Sequence, residues 1–288
     1  MSGILQLIGE VCSPIFYALF KVTGIQKLLQ IALLLDKSNY RALGEKYSRK
    51  DHDASAQARF LLMYEFLAYN RDVSSQELLD VVADCKAHLL QDVFAWKSRG
   101  KRQAGFFVEV GVGDGERISN TFLLEKRFGW TGLLVEPNKG FHGSIKAIRK
   151  SELVEEAAFH SDGETLKFLQ ATDGEFSGLE VAHVDRNEKR AQPISEYAVN
   201  ANTLTSVLDR YDAPNEIDYV SIDTEGSEFE VLQGIDFQRY DIKVITVEHN
   251  YESKKLAKVD ALLLSHGYER VLERYGRYEA FYLKKTEK

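Results

Sequence analysis

Only two cysteines, two methionines, two tryptophans and four prolines occur among the 288 residues. Cys12 and Cys85 stand far apart and in no metal-type spacing, so neither a disulfide framework nor a thiolate zinc site is available. That sparse use of cysteine fits a reducing compartment, and the expected location is cytoplasmic. Positive charge is in deficit as well: the net charge is −7, which argues against nucleic acid as the main partner, since phosphate binding draws on a basic surface. Long apolar runs are missing too. Residues 1–35 are rich in Ile, Leu, Val and Phe, but Glu10, Pro14, Lys21 and Lys27 interrupt them. The longest uncharged stretch there, Val11 to Phe20, falls short of the roughly 20 residues that cross a bilayer. The same segment lacks the basic start and small-residue cleavage site of a secretory signal.

What remains is an ordinary globular composition, 44% hydrophobic and 28% charged, enough for one or two domains with a conventional core. Over residues 1–50, Lys21, Lys27, Lys37, Arg41, Lys46, Arg49 and Lys50 outnumber Glu10, Asp36 and Glu45. Apolar and basic together leave two readings open for residues 1–35. One is a helix lying on the anionic inner face of a membrane; the other is a helix packed on its own core or on a second copy in a homo-oligomer.

Residues 1–100 read as a helical N-terminal region. Apolar positions recur at three- and four-residue spacing in Ala56–Tyr69 and Gln76–Trp96, with Ser74 and Ser75 as caps for the latter. From residue 101 the texture changes to short β-rich runs alternating with helical stretches, the pattern of βαβ units on a parallel sheet. The expected strands are Phe106–Val110, Leu133–Glu136, Val154–His160, Tyr219–Asp223 and Val244–Glu248. The expected helices are Ile118–Phe128, Phe141–Lys150, Glu228–Leu232 and Lys254–His266. Tyr268–Glu273 and Tyr278–Lys284 have hairpin spacing, so the last strand should run antiparallel. Leu166 to Leu204 reads as an irregular, polar stretch with a small hairpin and a substrate-facing loop. The fold class is therefore α/β, a Rossmann-like seven-stranded sheet with an antiparallel last strand.

Three motifs carry chemistry. In Phe106-Phe107-Val108-Glu109-Val110-Gly111-Val112-Gly113-Asp114-Gly115 a buried strand runs into a glycine loop, where the backbone can turn and approach a ligand with no Cβ in the way. A dinucleotide fingerprint would put its third glycine at position 116, where Glu116 stands, and an acid at 109 would repel a pyrophosphate. Glu109 suits a cation instead, such as the ammonium of a methionine moiety. Gly132-Leu133-Leu134-Val135-Glu136-Pro137 ends a second strand in a carboxylate, roughly 20 residues past the glycine loop, placed to accept from a ribose diol. Glu109, Gly111, Gly113 and Glu136 together indicate S-adenosylmethionine as cofactor.

The third motif, Asp223-Thr224-Glu225-Gly226-Ser227-Glu228 followed by Phe229-Glu230-Val231-Leu232-Gln233-Gly234, resembles the signature of the FkbM-type methyltransferases. Gly129-Trp130-Thr131-Gly132, Thr203-Leu204-Thr205-Ser206-Val207-Leu208 and Val247-Glu248 fit the same family, although Thr205 stands where the family often has Asp. The resemblance covers roughly residues 105–284. It implies a class I methyltransferase fold and O-methylation of a hydroxyl by S-adenosylmethionine, with a sugar of a glycan or glycolipid as leading acceptor. It also implies cofactor contacts by Glu109, Gly111, Gly113, Glu136 and Asp223, and an adenine contact after the third strand, for which Asp162 is the choice.

A sugar hydroxyl is a poor nucleophile, so a base or a metal should stand near it. Asp223, Glu225 and His249 are the candidate catalytic groups, at the carboxyl ends of strands where α/β sheets bind ligands. An alternative has Asp223, Glu248 and Asn250 holding Mg2+, an ion that selects oxygen ligands. His52, His88, His142, His183 and His266 are scattered without ligand spacing, and His183-Val184-Asp185-Arg186 reads as a solvated loop. Two rivals stay in view: a catalytically silent cofactor-binding scaffold or regulatory protein of a glycan-assembly complex, and an NAD-dependent enzyme.

Overall fold

The computed structural model describes residues 84–182 and 192–285, together with Phe66 and Val81. The chain divides into two compact units, Met1–Val82 and Ala83–Lys288. The expectations for residues 1–35, for Ala56–Tyr69, for the Ser74/Ser75 caps and for His183–Arg186 lie outside the described residues, Phe66 aside. Among the described residues no helix is long and apolar enough to cross a membrane.

The sheet starts from β1 (Phe106–Val110) and β2 (Thr131–Val135), which run parallel in register from Phe106 opposite Thr131 to Val110 opposite Val135. Val108, Val110, Leu133 and Val135 turn into the main core, where burying each such side chain is worth about 1.5–3 kcal/mol. Helix α2 (Phe122–Phe128) connects these strands, and Gly129 ends it in the left-handed conformation at φ 67°. Helix α3 (Lys139–Ile148), capped by Asn138, leads to β3 (Glu152–Val154), parallel to β2. On the other side of β1 lie β8 (Glu216–Ile222) and β9 (Asp241–Glu248), also parallel. Helices α5 (Glu228–Gln233) and α6 (Ser253–Ser265) follow β8 and β9. The sheet closes with β10 (Tyr268–Val271) and β11 (Glu279–Lys284); β11 inserts antiparallel between β10 and β9. The strand order β10-β11-β9-β8-β1-β2-β3 is the seven-stranded, mostly parallel arrangement expected from the sequence. The order reverses between β1 and β8, and their carboxyl ends form the crevice where such sheets take ligands.

Four local expectations are corrected. The helix after the glycine loop begins at Phe122 rather than Ile118, because residues 115–121 are drawn into turns, with Ile118 at φ 59°. The third strand expected over Val154–His160 divides: Val154 stays in the main sheet, while β4 (Ala157–Phe159) leaves it for a second one. The stretch 166–204 is more ordered than expected. It builds a four-stranded sheet of order β4-β7-β5-β6 with β5 (Glu164–Ala171), β6 (Gly178–Leu179) and β7 (Pro193–Thr203), packed over Phe159, Phe168, Val199 and Ala201. Helix α4 (Leu204–Arg210) follows, its first turn capped by the Thr203 hydroxyl. Finally, the helix expected over Gln76–Trp96 is interrupted: Val81 is helical, residues 84–90 are not, and α1 (Gln91–Ser98) begins only after Leu90, whose φ of 56° breaks the helical path. Residues 83–90 and α1 belong to the same compact unit as the sheet, and the Tyr275 hydroxyl donates to the Leu89 carbonyl at 2.9 Å.

Candidate active site

A cavity of about 950 Å³ opens at the carboxyl ends of β1, β2, β8 and β9. Its floor is the glycine loop. Gly111 donates its N–H to the Val135 carbonyl and Asp223 donates to that of Val110, so the loop is wedged between the tips of β2 and β8. A Cβ on Gly111, at φ 81°, would sit 1.6 Å from the Asp223 carbonyl oxygen; only glycine fits. At Gly113, φ 60°, a Cβ would meet nothing within 4 Å, which leaves the loop open toward the cavity.

Glu136 is buried at the tip of β2 and lines the cavity. Its Oε2 accepts from the Val112 and Gly113 amides, each at 2.9 Å, and its Oε1 from the Asn138 amide at 2.8 Å. Burial pushes its carboxyl up to about 7, against the pull of those three amides. Among the described residues Oε1 has a single partner, so it retains acceptor capacity for a hydroxyl.

Glu109 lines the cavity, as expected of it, and is also tied to its own surroundings. Its carboxylate accepts from the Ser119 hydroxyl, the Asn120 amide and the Thr121 hydroxyl, and Arg149 stands 3.6 Å away. Burial pushes its carboxyl up and Arg149 opposes that. These bonds anchor residues 119–121, and the same carboxylate lines the cavity. Asp162 departs from its expected role: it is exposed, caps the entry to α4 through the Thr203 amide and hydroxyl, and does not line the cavity. It is carried off because the chain leaves the main sheet after Val154. The wall expected of it is formed instead by Phe141, Ala157, Ala158, Phe168 and the strap Gly174–Leu179.

The opposite end is acidic. Asp223, Glu225 and Glu248 each bring a carboxylate oxygen within 4.8 Å of the others. Burial pushes Asp223 up to about 6, Glu225 to about 9 and Glu248 to about 12, with mutual repulsion adding to the last two. Glu279, directly across β11 from Glu248, joins this wall, and burial pushes it up as well. Glu228 is fully buried; it accepts from the Thr224 and Gly226 amides and from Lys255, holding the 224–226 loop in place.

Asn250 lines the cavity and its Nδ2 donates to Glu248 at 2.6 Å, so all three residues of the expected oxygen set, Asp223, Glu248 and Asn250, border the cavity, with Glu225 beside them. His249 alternates to the other side of β9's end. It is 4% exposed, does not line the cavity, and neither ring nitrogen has a partner among the described residues. The geometry therefore removes it as a base. Sequence reasoning missed Arg149, Glu228, Lys255 and Glu279. For Glu228 the signal was there, an acid at the first turn of a helix that follows a glycine.

The strand order and the glycine-loop crevice define a class I methyltransferase, the fold of S-adenosylmethionine-dependent methyl transfer. The family description "Methyltransferase FkbM domain" matches residues 109–270, more than half the chain, and the protein belongs to that family. No curated protein matches it. Solved structures similar to the chain include the METTL16 methyltransferase domain, at 12% identity and TM-score 0.40. That likeness covers 68% of this chain and 66% of that one, just under two thirds. Precorrin-6y C5,15-methyltransferase from Geobacter metallireducens GS-15 has 12% identity, covers 67% and 87% of the two chains, and has a TM-score of 0.38. A methyltransferase from Pyrococcus furiosus has 11% identity, covers 80% and 96%, and has a TM-score of 0.35. The fold assignment stands on the strand order and the family match.

Proposed function

We propose that the protein transfers the methyl group of S-adenosylmethionine to a hydroxyl oxygen of a small molecule, a sugar of a glycan or glycolipid being the acceptor class. One observation carries the reading. One cavity joins an end lined by Gly111, Gly113 and Glu136 to an end lined by Asp223, Glu225 and Glu248. The residues fit the cofactor: Glu136 would accept from the ribose diol, Gly111 and Gly113 would let the backbone approach, and the acidic surroundings suit a sulfonium. S-adenosylmethionine supplies the electrophilic methyl group when bound.

The chain's own residues orient the acceptor and take its proton. Asp223 stands where the glycine loop meets β8, at the border between the two ends, and is the group assigned to receive the hydroxyl proton. Glu225 and Glu248 would hold neighbouring hydroxyls, and positioning of this kind supplies much of the rate. A second reading rests on the same three carboxylates: Mg2+ held by Asp223, Glu225 and Glu248 would acidify the acceptor hydroxyl, using the oxygen donors that this ion selects.

The test pairs calorimetry with product analysis. S-adenosylhomocysteine should bind and NAD should not; incubation with S-adenosylmethionine and a panel of glycans should add one methyl to oxygen. Binding of NAD alone, or methylation confined to nitrogen, overturns the reading. Cofactor binding with no transfer to any acceptor supports the scaffold alternative.

A further inference from the structure

The turn that follows β9 is held in an uncommon shape. Asn250 and Tyr251 both take the left-handed conformation, at φ 48° and 61°, a region that residues other than glycine seldom enter. Two such residues in succession cost free energy, and strain of this kind collects at functional positions. Backbone bonds fix the turn: the His249 and Asn250 amides donate to the Tyr278 carbonyl at 2.8 and 3.2 Å, and the Glu252 amide to the His249 carbonyl at 2.7 Å. What the turn displays is the Tyr251 ring, 70% exposed. It stands 6.0 Å from the Tyr278 ring at an interplanar angle of 70°, an edge-to-face pair.

The pair sits at the rim of the cavity. Asn250, Glu252 and Tyr278, the neighbours of Tyr251 in chain and in space, all line it. Burial pushes the Tyr278 phenol up, and Glu279, Glu248 and Asp223 add to that, so the rings and the carboxyl groups share one end of the cavity. An open aromatic face beside several acceptor oxygens has the chemistry of a pyranose site. One face of a pyranose presents C–H bonds, which gain by covering an aromatic ring, while its hydroxyls radiate outward as donors. A flat phenol would cover the ring equally well, but it brings few hydroxyls to Asp223, Glu225 and Glu248, and buried acceptors left unmet are costly. A sugar carrying phosphate or carboxylate fits less well. Among the described residues Lys255 is the one lysine lining the cavity, and it is already paired with Glu228 at 2.8 Å and Glu252 at 3.6 Å.

We propose that Tyr251, backed by Tyr278, is the acceptor platform of this cavity, on which an uncharged pyranose ring stacks while Asp223, Glu225 and Glu248 accept from its hydroxyls. The inference deepens the proposed transfer to a sugar hydroxyl and rests on it. It assigns acceptor selection to a residue that makes no contact with the proton being removed.

Methyl transfer from S-adenosylmethionine is measured on the full chain against neutral glycans and their methyl pyranosides, uronic-acid and phosphate-bearing sugars, and catechols. A neutral pyranose should be methylated, and Tyr251→Ala should raise its KM roughly tenfold with kcat nearly unchanged, the pattern of lost uniform binding. Tyr251→Phe, which keeps the ring, should hold KM within about twofold of wild type. S-adenosylhomocysteine affinity, read by calorimetry, should move in neither variant. An unchanged KM in Tyr251→Ala overturns the proposal, and so does an equal loss in Tyr251→Phe, which would give the role to the hydroxyl. S-adenosylhomocysteine binding that weakens along with acceptor KM would make the turn merely structural, and overturns it too. Transfer to catechols or charged sugars alone sinks the platform but leaves hydroxyl methylation standing. Transfer to none of these acceptors, with S-adenosylhomocysteine bound, fails the proposed function itself and the platform with it.

Discussion

Glu109 Oε2 and Arg149 Nη1 lie 3.6 Å apart, with neither side chain more than 2% exposed. The pair ties the end of β1 to the residue after α3 and encloses the segment that forms one wall of the cavity. Removing one partner from a buried pair leaves an uncompensated charge, at a cost of about 3–5 kcal/mol. Arg149→Met should therefore lower the unfolding free energy by about that amount. The Glu109→Gln, Arg149→Met double variant should lose less than the sum of its parts, because Glu109→Gln removes one of the two carboxylates, Glu109 and Glu125, that the loss of Arg149 strands. Urea unfolding of the four proteins of this cycle measures the coupling.

With Glu136 as the proposed ribose acceptor, cofactor affinity should depend on pH. A ribose diol needs the ionised carboxylate as acceptor, and burial has pushed that group up to about 7. Affinity for S-adenosylhomocysteine should fall as pH drops from 8 toward 6 and level off above 8; Glu136→Gln should bind weakly with a flat profile. Stability of the empty protein runs the other way. A carboxyl raised in the folded state above its ordinary 4.5 favours folding while protonated, so this contribution is present at low pH and lost as pH rises through about 7. Calorimetry across pH and thermal unfolding of the empty protein check the two signs.

Asp223→Asn should reduce turnover by roughly 10²–10⁴-fold with little change in S-adenosylhomocysteine affinity, the signature of a lost proton acceptor. Turnover after exhaustive EDTA treatment separates the two readings of the acidic end. Undiminished activity leaves Asp223 as the base; loss restored by Mg2+ assigns the three carboxylates to the ion.

Two of the residues expected from sequence should prove dispensable for chemistry. His249→Gln should keep near-normal turnover, since its ring lies off the cavity. Asp162→Ala should leave cofactor affinity intact and cost about 1 kcal/mol of stability through the entry to α4, as lost helix caps do. Steady-state rates and chemical unfolding of the two variants decide each point.

The parallel strands, the terminal hairpin and the glycine loop were readable because each rests on a local pattern: an apolar run, a turn, a carboxylate at a strand tip. Glu136 and Asp223 were found in that way. Tertiary partners leave no such trace. Glu109 looks in sequence like a free acid beside a glycine bend, and nothing nearby reveals that Arg149, forty residues on, will stand against it. Asp162 was misplaced because one strand was expected where the chain makes two that belong to different sheets. The second sheet was hidden by polar outer faces on β5 and β7, where charged residues such as Lys167 and Glu196 mask the inward alternation of Phe168 and Val199.

Strand β11 enters its sheet between two strands that precede it in the chain. Until residues 279–284 have been made and inserted, β9 keeps a bare edge, a template for unwanted pairing with another chain. The acidic wall also lacks Glu279 until then. A chain cut before Glu279 should therefore carry a bare β9 edge and an incomplete cavity wall, and should aggregate rather than persist in a weakened form.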